Sequence, residues 1–451
     1  MRTAPMATRR SHRAGYWLAW LLAVVGFMAP ISGCTVNPAR QEADGIIELE
    51  FWSLQMLSFK DYMTAMIADY ETAHPNIRIK WVDVPFSEGE KKAISSMLAQ
   101  HAPDVVNLNP NFSALLAQRG ALIDFRDYLS EAELSAYVPV TLQAASQYNG
   151  QKETLFGLPW YVTSAITIYN DALLPAGVGG PPRDYPAMAR LAKQVHEQGK
   201  GYLLMPTLAN GGQFFKVLFQ AGVPLVDETT GRFVFADHGA GQALAFWVAL
   251  FKSGVIPRES LVEGHQAAVD RYQSGTLGLL LTGANFLNMV RENAPAVFQT
   301  TRVAPQFPEG GKGVDFSEMI LVVPKRSAHP KEAVAFARFV TNAENTRRLT
   351  QLAPVLSPNK VVLQLQAREH PALPTQAGSD DHAPEPLPPV IIEASQLSAR
   401  QLLGAQATMP VLPRQNELNQ RMDYFVQQAL LERLTPEAAM AQAQAAMNGL
   451  Q

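Results

Sequence analysis

An α/β fold is predicted, with a sheet covered by helices, and two observations predict it. Strand-patterned and helix-patterned segments alternate through the first part of the body, the order that builds parallel sheets flanked by helices. The chain is also long enough, at 451 residues, for two core-bearing domains, and its composition is globular, with 47% hydrophobic and 17% charged residues.

The elements follow in order. In residues 46–52 (IIELEFW), Ile47, Leu49 and Phe51 alternate with Glu48, Glu50 and Trp52, the period of a strand. Between 59 and 73, Phe59, Tyr62, Met63, Met66, Ile67 and Tyr70 recur at helical spacing, and His74-Pro75 ends the run. A second strand is expected at 77–84 (IRIKWVDV), a helix at 91–100 and a third strand at 103–109 (PDVVNLN). The theme then repeats less regularly. Strand-like runs lie at 154–161 and 164–170, a helix at 185–198, a short strand at 201–206 (GYLLMP) and a helix at 214–221. An apolar helix is expected at 240–253, with strands at 276–283 and 319–324. Helices at 330–353, 395–407, 415–431 and 435–448 complete the chain. Residues 370–389, rich in Pro, Gly and Asp, cannot bury much and are expected to form an exposed excursion.

The first 33 residues differ from the rest. Arg2, Arg9, Arg10 and Arg13 form a basic start without an acidic residue, an uncharged run from Trp17 to Met28 follows, and Ile31-Ser32-Gly33-Cys34 comes next. That is the order of a secretory signal, with an apolar run short for a membrane span. Arg9-Arg10 raises the twin-arginine export route, although Ser-His-Arg after the pair lacks the apolar residues that route favours. Cys34 is the only cysteine, so it cannot form an internal disulfide, and an unpaired thiol in an exported chain needs another role. The tetrad resembles the bacterial lipobox, which implies cleavage before Cys34 and lipid on it; an incidental buried thiol is the alternative. Residues 34–45 then read as a lipidated cysteine and flexible tether. Without residues 1–33 the chain keeps 33 basic against 40 acidic residues, a net charge of −7. That balance argues against nucleic acid or an anionic membrane surface as partner.

Several segments together resemble family 1 extracellular solute-binding proteins, the maltose-binding-protein-like sugar-binding components of ABC importers. They are IELEFWS near the mature start, YETAHPNIRIKWVDVPF (70–86), APDVVNLNPNFSALLAQRGALIDF (102–125) and FGLPWYVTSAITIYNDALL (156–174). FWVALFKSGVIP (246–257), YQSGTLGLLLTGANFL (272–287), SEMILVVPKRSAHPKEAVAFARFVTN (317–342) and MPVLPRQNELNQRM (409–422) follow in family order. The resemblance implies a two-lobed periplasmic-binding-protein fold of type II, each lobe a mixed sheet flanked by helices, with a ligand cleft between them. Lobe one is expected at 46–158 and 303–358, and lobe two at 159–302 and 359–451. The expected partners are a small-molecule carbohydrate, the importer's transmembrane subunits and the membrane through the lipid. A monomer without cofactor or metal, exported and held at the outer face of the cytoplasmic membrane, is expected.

Sugars present hydroxyl rims and apolar C–H faces, so a site needs aromatic rings and neutral polar groups. Trp52, with Ser53 and Gln55 behind it, stands at the family's first-strand loop; core packing is the alternative. Trp160 and Tyr161 are adjacent in a strand and should face opposite ways, so at most one meets ligand, with Tyr161 favoured. Asn107 and Asn109 end a strand, either to cap the next loop or to bind a hydroxyl. Gly212 and Gln213 precede a helix whose free N–H groups could face ligand. Asn285 stands where many relatives carry an aromatic residue, and Glu318 where relatives often carry glycine. Glu318 would accept from two hydroxyls or neutralise an amine; a solvated strand-end charge is the alternative. Arg414 completes the set from lobe two, and Trp247 is expected in core.

Two rival functions remain. A glycan hydrolase needs two carboxylates roughly 5–10 Å apart, which Asp83, Asp104 and Glu318 could supply, but no G-x-S-x-G, H-E-x-x-H or clustered His/Cys spacing accompanies them. A receptor for a non-sugar solute needs an Arg–Asp pair or a tyrosine cluster, where this chain offers amides and aromatics.

Overall fold

The structure is a computed structural model that describes residues 45–98, 102–148, 152–227, 229–310, 313–368, 387–405 and 414–450. The signal segment, Cys34 and nearly all of the tether lie outside the described residues. So do most of the Pro-rich excursion and the start of the MPVLPRQ turn.

Nine strands are described: β1 (Ile47–Leu54), β2 (Ile77–Val84), β3 (Val105–Leu108), β4 (Ser146–Tyr148), β5 (Glu153–Leu155), β6 (Leu158–Asn170), β7 (Leu279–Gly283), β8 (Thr301–Ala304) and β9 (Phe316–Val322). β4 and β5 pair only with each other. The other seven form one mixed sheet in the order β2-β1-β3-β9-β6-β7, with β8 also on β6. β1 runs parallel to both β2 and β3, and the remaining pairings are antiparallel.

The two strand-like runs expected at 154–161 and 164–170 are largely one strand, β6, and it organises the molecule. Up to Ser164 its ladder is with β9; from Ala165 onward it pairs with β7 and β8. A single extended segment therefore leaves one packing environment and enters another. The cores divide accordingly. One gathers Phe51, Tyr70, Trp160, Ile320 and Phe336 around β1, β3 and β9. A second gathers Met188, Phe214, Trp247, Met422 and Met440 from helices further along the chain, which places Trp247 in core. A third lies behind β7 around Ile166, Tyr272 and Leu280. A small fourth cluster, including Val138, Val162, Leu356 and Leu402, fills the region where the chain returns past β6.

Four expectations need correction. GYLLMP forms no strand, because Tyr202 makes only a single bridge to Leu277 and the segment packs as loop. The helix expected at 330–353 is two helices, Pro330–Val340 and Ala343–Leu352, because Asn342 caps the second by accepting from the Asn345 N–H. The second helix begins at Phe86, right after Pro85, rather than at 91. The helix expected at 395–407 begins at Pro389, a residue favoured in a first turn. Helices at Pro110–Gln118, His265–Gln273, Phe286–Asn293 and Lys360–Arg368 carry too little uninterrupted pattern to have been anticipated.

Candidate functional site

Strand register assigns the faces of the sheet. Ser53 sits opposite Asp83, Phe51 opposite Val105, Asn107 opposite Leu321, and Tyr161 opposite Met319, so all share one face. Trp52, Val106, Ile320, Glu318 and Val162 share the other.

On the first face a polar chain ends β1 and β2. The Trp81 indole N–H donates to Ser53 Oγ at 2.8 Å, and the Ser53 hydroxyl donates to Asp83 at 2.6 Å. Asp83 also accepts from the Met56 and Leu57 N–H groups, which ties down the turn holding Gln55. Gln55 is exposed and adopts φ 55°, a left-handed conformation in which its side chain leaves the strand pattern. Tyr161 is half-buried, and burial, with the negative charge of Asp83, pushes its hydroxyl up to about 12. It therefore stays a neutral ring with an O–H, suited to a hydroxylated partner.

The expectation that Trp160 and Tyr161 point to opposite faces is corrected. The β6–β9 register shifts between Pro159 and Tyr161, a bulge with Trp160 as the extra residue. Alternation fails there: the Trp160 ring lies 6.1 Å from Phe51 and 5.3 Å from Tyr161. Trp160 is fully buried in the core, and Tyr161 is the member of the pair with exposed surface.

Trp52 lies on the opposite face. Its indole N–H donates to Glu50 at 2.6 Å, and Lys92 sits 5.2 Å over its ring. With 8% exposure it packs beneath the helix Phe86–Leu98 and does not meet Tyr161. Asn109 caps the helix Pro110–Gln118 through the Phe112 N–H. Asn107 is fully buried and donates to the Ile320 carbonyl, while its Oδ1 has no partner among the described residues.

Further polar groups lie beyond β6. Gly211 and Gly212, at φ 65° and 69°, turn the chain so that backbone N–H groups point at Asp423. Burial raises the Asp423 carboxyl, and these N–H groups oppose the rise. Gln213 opens the helix Gln213–Gln220, whose Lys216 pairs with Asp315 at 2.9 Å. His265 Nε2 lies 3.1 Å from Thr282 Oγ1, and burial, then Lys216, lowers its pKa. Asn285 and Asn288 line a cavity with Thr163 and Ser164 of β6. Arg414 is held otherwise: it pairs with Glu417 at 2.6 Å and donates to the Leu450 carbonyl at 2.7 Å.

Glu318 is buried, and neither carboxyl oxygen has a partner among the described residues. Burial alone raises its pKa well above the ordinary carboxylate range. It is not a solvated strand end. Asp83 and Asp104 align with Ser53 and Glu50 of β1, about 10 Å apart along the strands alone, and Glu318 projects from the opposite face to Asp83. These three carboxylates do not form a facing pair.

Trp81, Lys216, His265, Asn288 and Asp423 escaped the reading of the sequence. Trp81 and Asp83 did carry a signal, since their spacing of two puts them on one face of β2. Asp423 carried none, because its link to Gly212 spans 211 residues.

A family model described as bacterial extracellular solute-binding protein matches residues 57–347, more than half of the chain. The chain belongs to this family. A structure from Synechococcus sp. MITs9220, provisionally named an oligosaccharide periplasmic-binding protein, superposes on this solute-binding protein with a TM-score of 0.79. It is 30% identical and covers 89% of this chain and 98% of that one. An uncharacterized lipoprotein of Streptomyces antibioticus is 24% identical over 351 residues, 73% of each chain. A Deinococcus radiodurans protein provisionally named an ABC transporter-binding protein is 24% identical over 292 residues, 60% of this chain and 66% of its own. The solute-binding protein thus has the two-lobed periplasmic-binding fold and is exported.

Gly212 tests how closely its turn is packed against Asn419. A Cβ there would lie 2.0 Å from Asn419 Oδ1 and 2.4 Å from its Cγ, at a φ that disfavours other residues. Gly212→Ala is expected to cost about 1–3 kcal/mol of stability, read as a lower urea midpoint at unchanged slope.

Proposed function

We propose that this chain is the solute-capturing subunit of an ABC importer, that its solute is a carbohydrate, and that capture works by closure of the lobes about β6. The single observation that carries the reading is the change of ladder partners within β6 at Ser164 and Ala165, next to the half-buried Tyr161. The provisional names of the Synechococcus and Deinococcus proteins support the solute class and the transporter. The lobe division we infer follows that strand: the β1–β3 and β9 side with the N-terminal half of β6, against the β7 and β8 side with the helices of the second core.

Tyr161 supplies a ring, and Gln55, Gln213 and Asn285 supply amides that both donate and accept, as a hydroxyl requires. Glu318 is enclosed on the face of the sheet opposite Tyr161 and is left out of the solute contacts. A solute that bridges the lobes stabilises the closed form by its extra contacts there. Lipid on Cys34 would hold the protein beside the transporter; a single chain binds membrane only marginally, so more than one acyl chain is needed.

The test is a thermal-shift screen of residues 35–451 against sugars, polyols, amino acids and polyamines. A carbohydrate at about 100 times its Kd should stabilise the fold by about 2.7 kcal/mol, raising the melting temperature by several degrees. A shift only with amino acids or polyamines would replace the carbohydrate reading, and turnover of an oligosaccharide would replace the carrier reading.

A further inference from the structure

Where β6 changes partners, a cavity of about 40 Å³ lies between Val162–Ser164, the residues after β7, the chain around Leu356 and the helix Pro389–Gly404. Most of its wall is apolar, but three polar atoms of the residues lining it are buried without a hydrogen-bond partner among the described residues. They are Ser164 Oγ, Asn288 Oδ1 and Ser398 Oγ, contributed by three different elements. Ser164 and Ser398 are each only 2% exposed. The Gln366 amide on the same wall is already used, accepting from the Ser357 N–H at 2.9 Å and donating to the Val355 carbonyl at 3.0 Å.

Leaving a buried polar group unsatisfied is costly, and here three such groups belong to residues that line one space. A water needs roughly 10–15 Å³ of such volume and 2–4 polar partners. The cavity has the volume, its lining residues carry three unpartnered polar atoms, and it is far smaller than the roughly 300 Å³ at which ligand pockets begin. We propose that it is a built site for a hydroxylic guest, an O–H that accepts from the serine hydroxyls and donates to the Asn288 carbonyl oxygen.

The guest ties the helix Pro389–Gly404 and Asn288 to β6 at the point about which the lobes move. Two sources share this chemistry: ordered water, or one hydroxyl of the captured solute. The polarity of the site does not depend on the carbohydrate reading; only the solute source rests on it.

Ser164→Ala and Ser398→Ala test the site in the unaltered buffer. A satisfied hydroxyl is lost in each, so each melting temperature should fall by about 1–2 °C. An unchanged or raised melting temperature, as follows from deleting a hydroxyl that bonds nothing, overturns the proposal. Crystals of the unsubstituted chain at high resolution, grown without polyols, decide the matter even if a variant fails to fold. An oxygen within hydrogen-bond distance of at least two of the three groups in solute-free crystals identifies water; one appearing only with bound carbohydrate identifies the solute. A cavity without density in both crystals sinks the proposal and leaves the carrier reading untouched, since that reading is judged by the thermal-shift screen.

Discussion

Trp160→Ala is expected to lower folding stability by about 3–5 kcal/mol, the range for deleting a large buried aromatic. Trp160 has no exposed surface and touches Phe51 and Tyr161, and Phe51 in turn meets Phe336 edge-on at 5.3 Å. Its removal opens a void at the centre of the first core, where close packing leaves little freedom to collapse. The neighbouring residue should behave in the opposite way. Tyr161→Phe keeps the ring and its packing and removes only the hydroxyl near Asp83, so stability should change by less than about 1 kcal/mol. Solute affinity should fall by roughly tenfold if that O–H bonds the solute. Denaturation curves and titration calorimetry on the same two variants separate the roles. Loss of affinity in a stably folded Trp160→Ala, with none in Tyr161→Phe, would reverse the assignment.

The second large effect concerns Glu318 and pH. Its folded-state pKa is raised by burial, whereas the unfolded chain ionises near the ordinary value of about 4.3. Below that value both states carry the proton and nothing is lost. As pH rises above it, the unfolded chain releases a proton that the folded chain keeps, so stability falls. The fall continues until the folded-state pKa is passed, at up to about 1.4 kcal/mol per pH unit. Glu318→Gln cannot ionise, so the two urea-stability curves should lie close together near pH 4 and diverge above it, with the variant more stable. Glu318→Met should gain further, by about 1–3 kcal/mol, because it also removes the unpartnered polar atoms. A gap that does not grow with pH would show that the carboxyl is solvated or paired in solution.

The same residue shows what the sequence made legible. An acid where relatives often carry glycine stood out as a candidate for the solute's hydroxyls, with a solvated strand-end charge as the alternative. Enclosure came from the pairing of β9 with β6, which sets Glu318 beside Val162 and under the small cluster with Leu356 and Leu402. Trp52 teaches the converse. Its place at the end of β1 was readable, but the cover of its ring by Lys92 depends on a helix more than 30 residues away.

Periodicity and end signals alone sufficed for the α/β class, the strands of the first core and most of the long helices, because those signals act within a few residues. The order of segments along the chain was enough to suggest the family. Bulges, faces and distant junctions were beyond that reach. The doubled residue at Trp160 exists only against its partner strand, and the junction of Gly212 with Asp423 brings together groups about 200 residues apart. Local preference depends on neighbours in sequence, while a binding site depends on neighbours in space, and long-range packing alone converts one into the other.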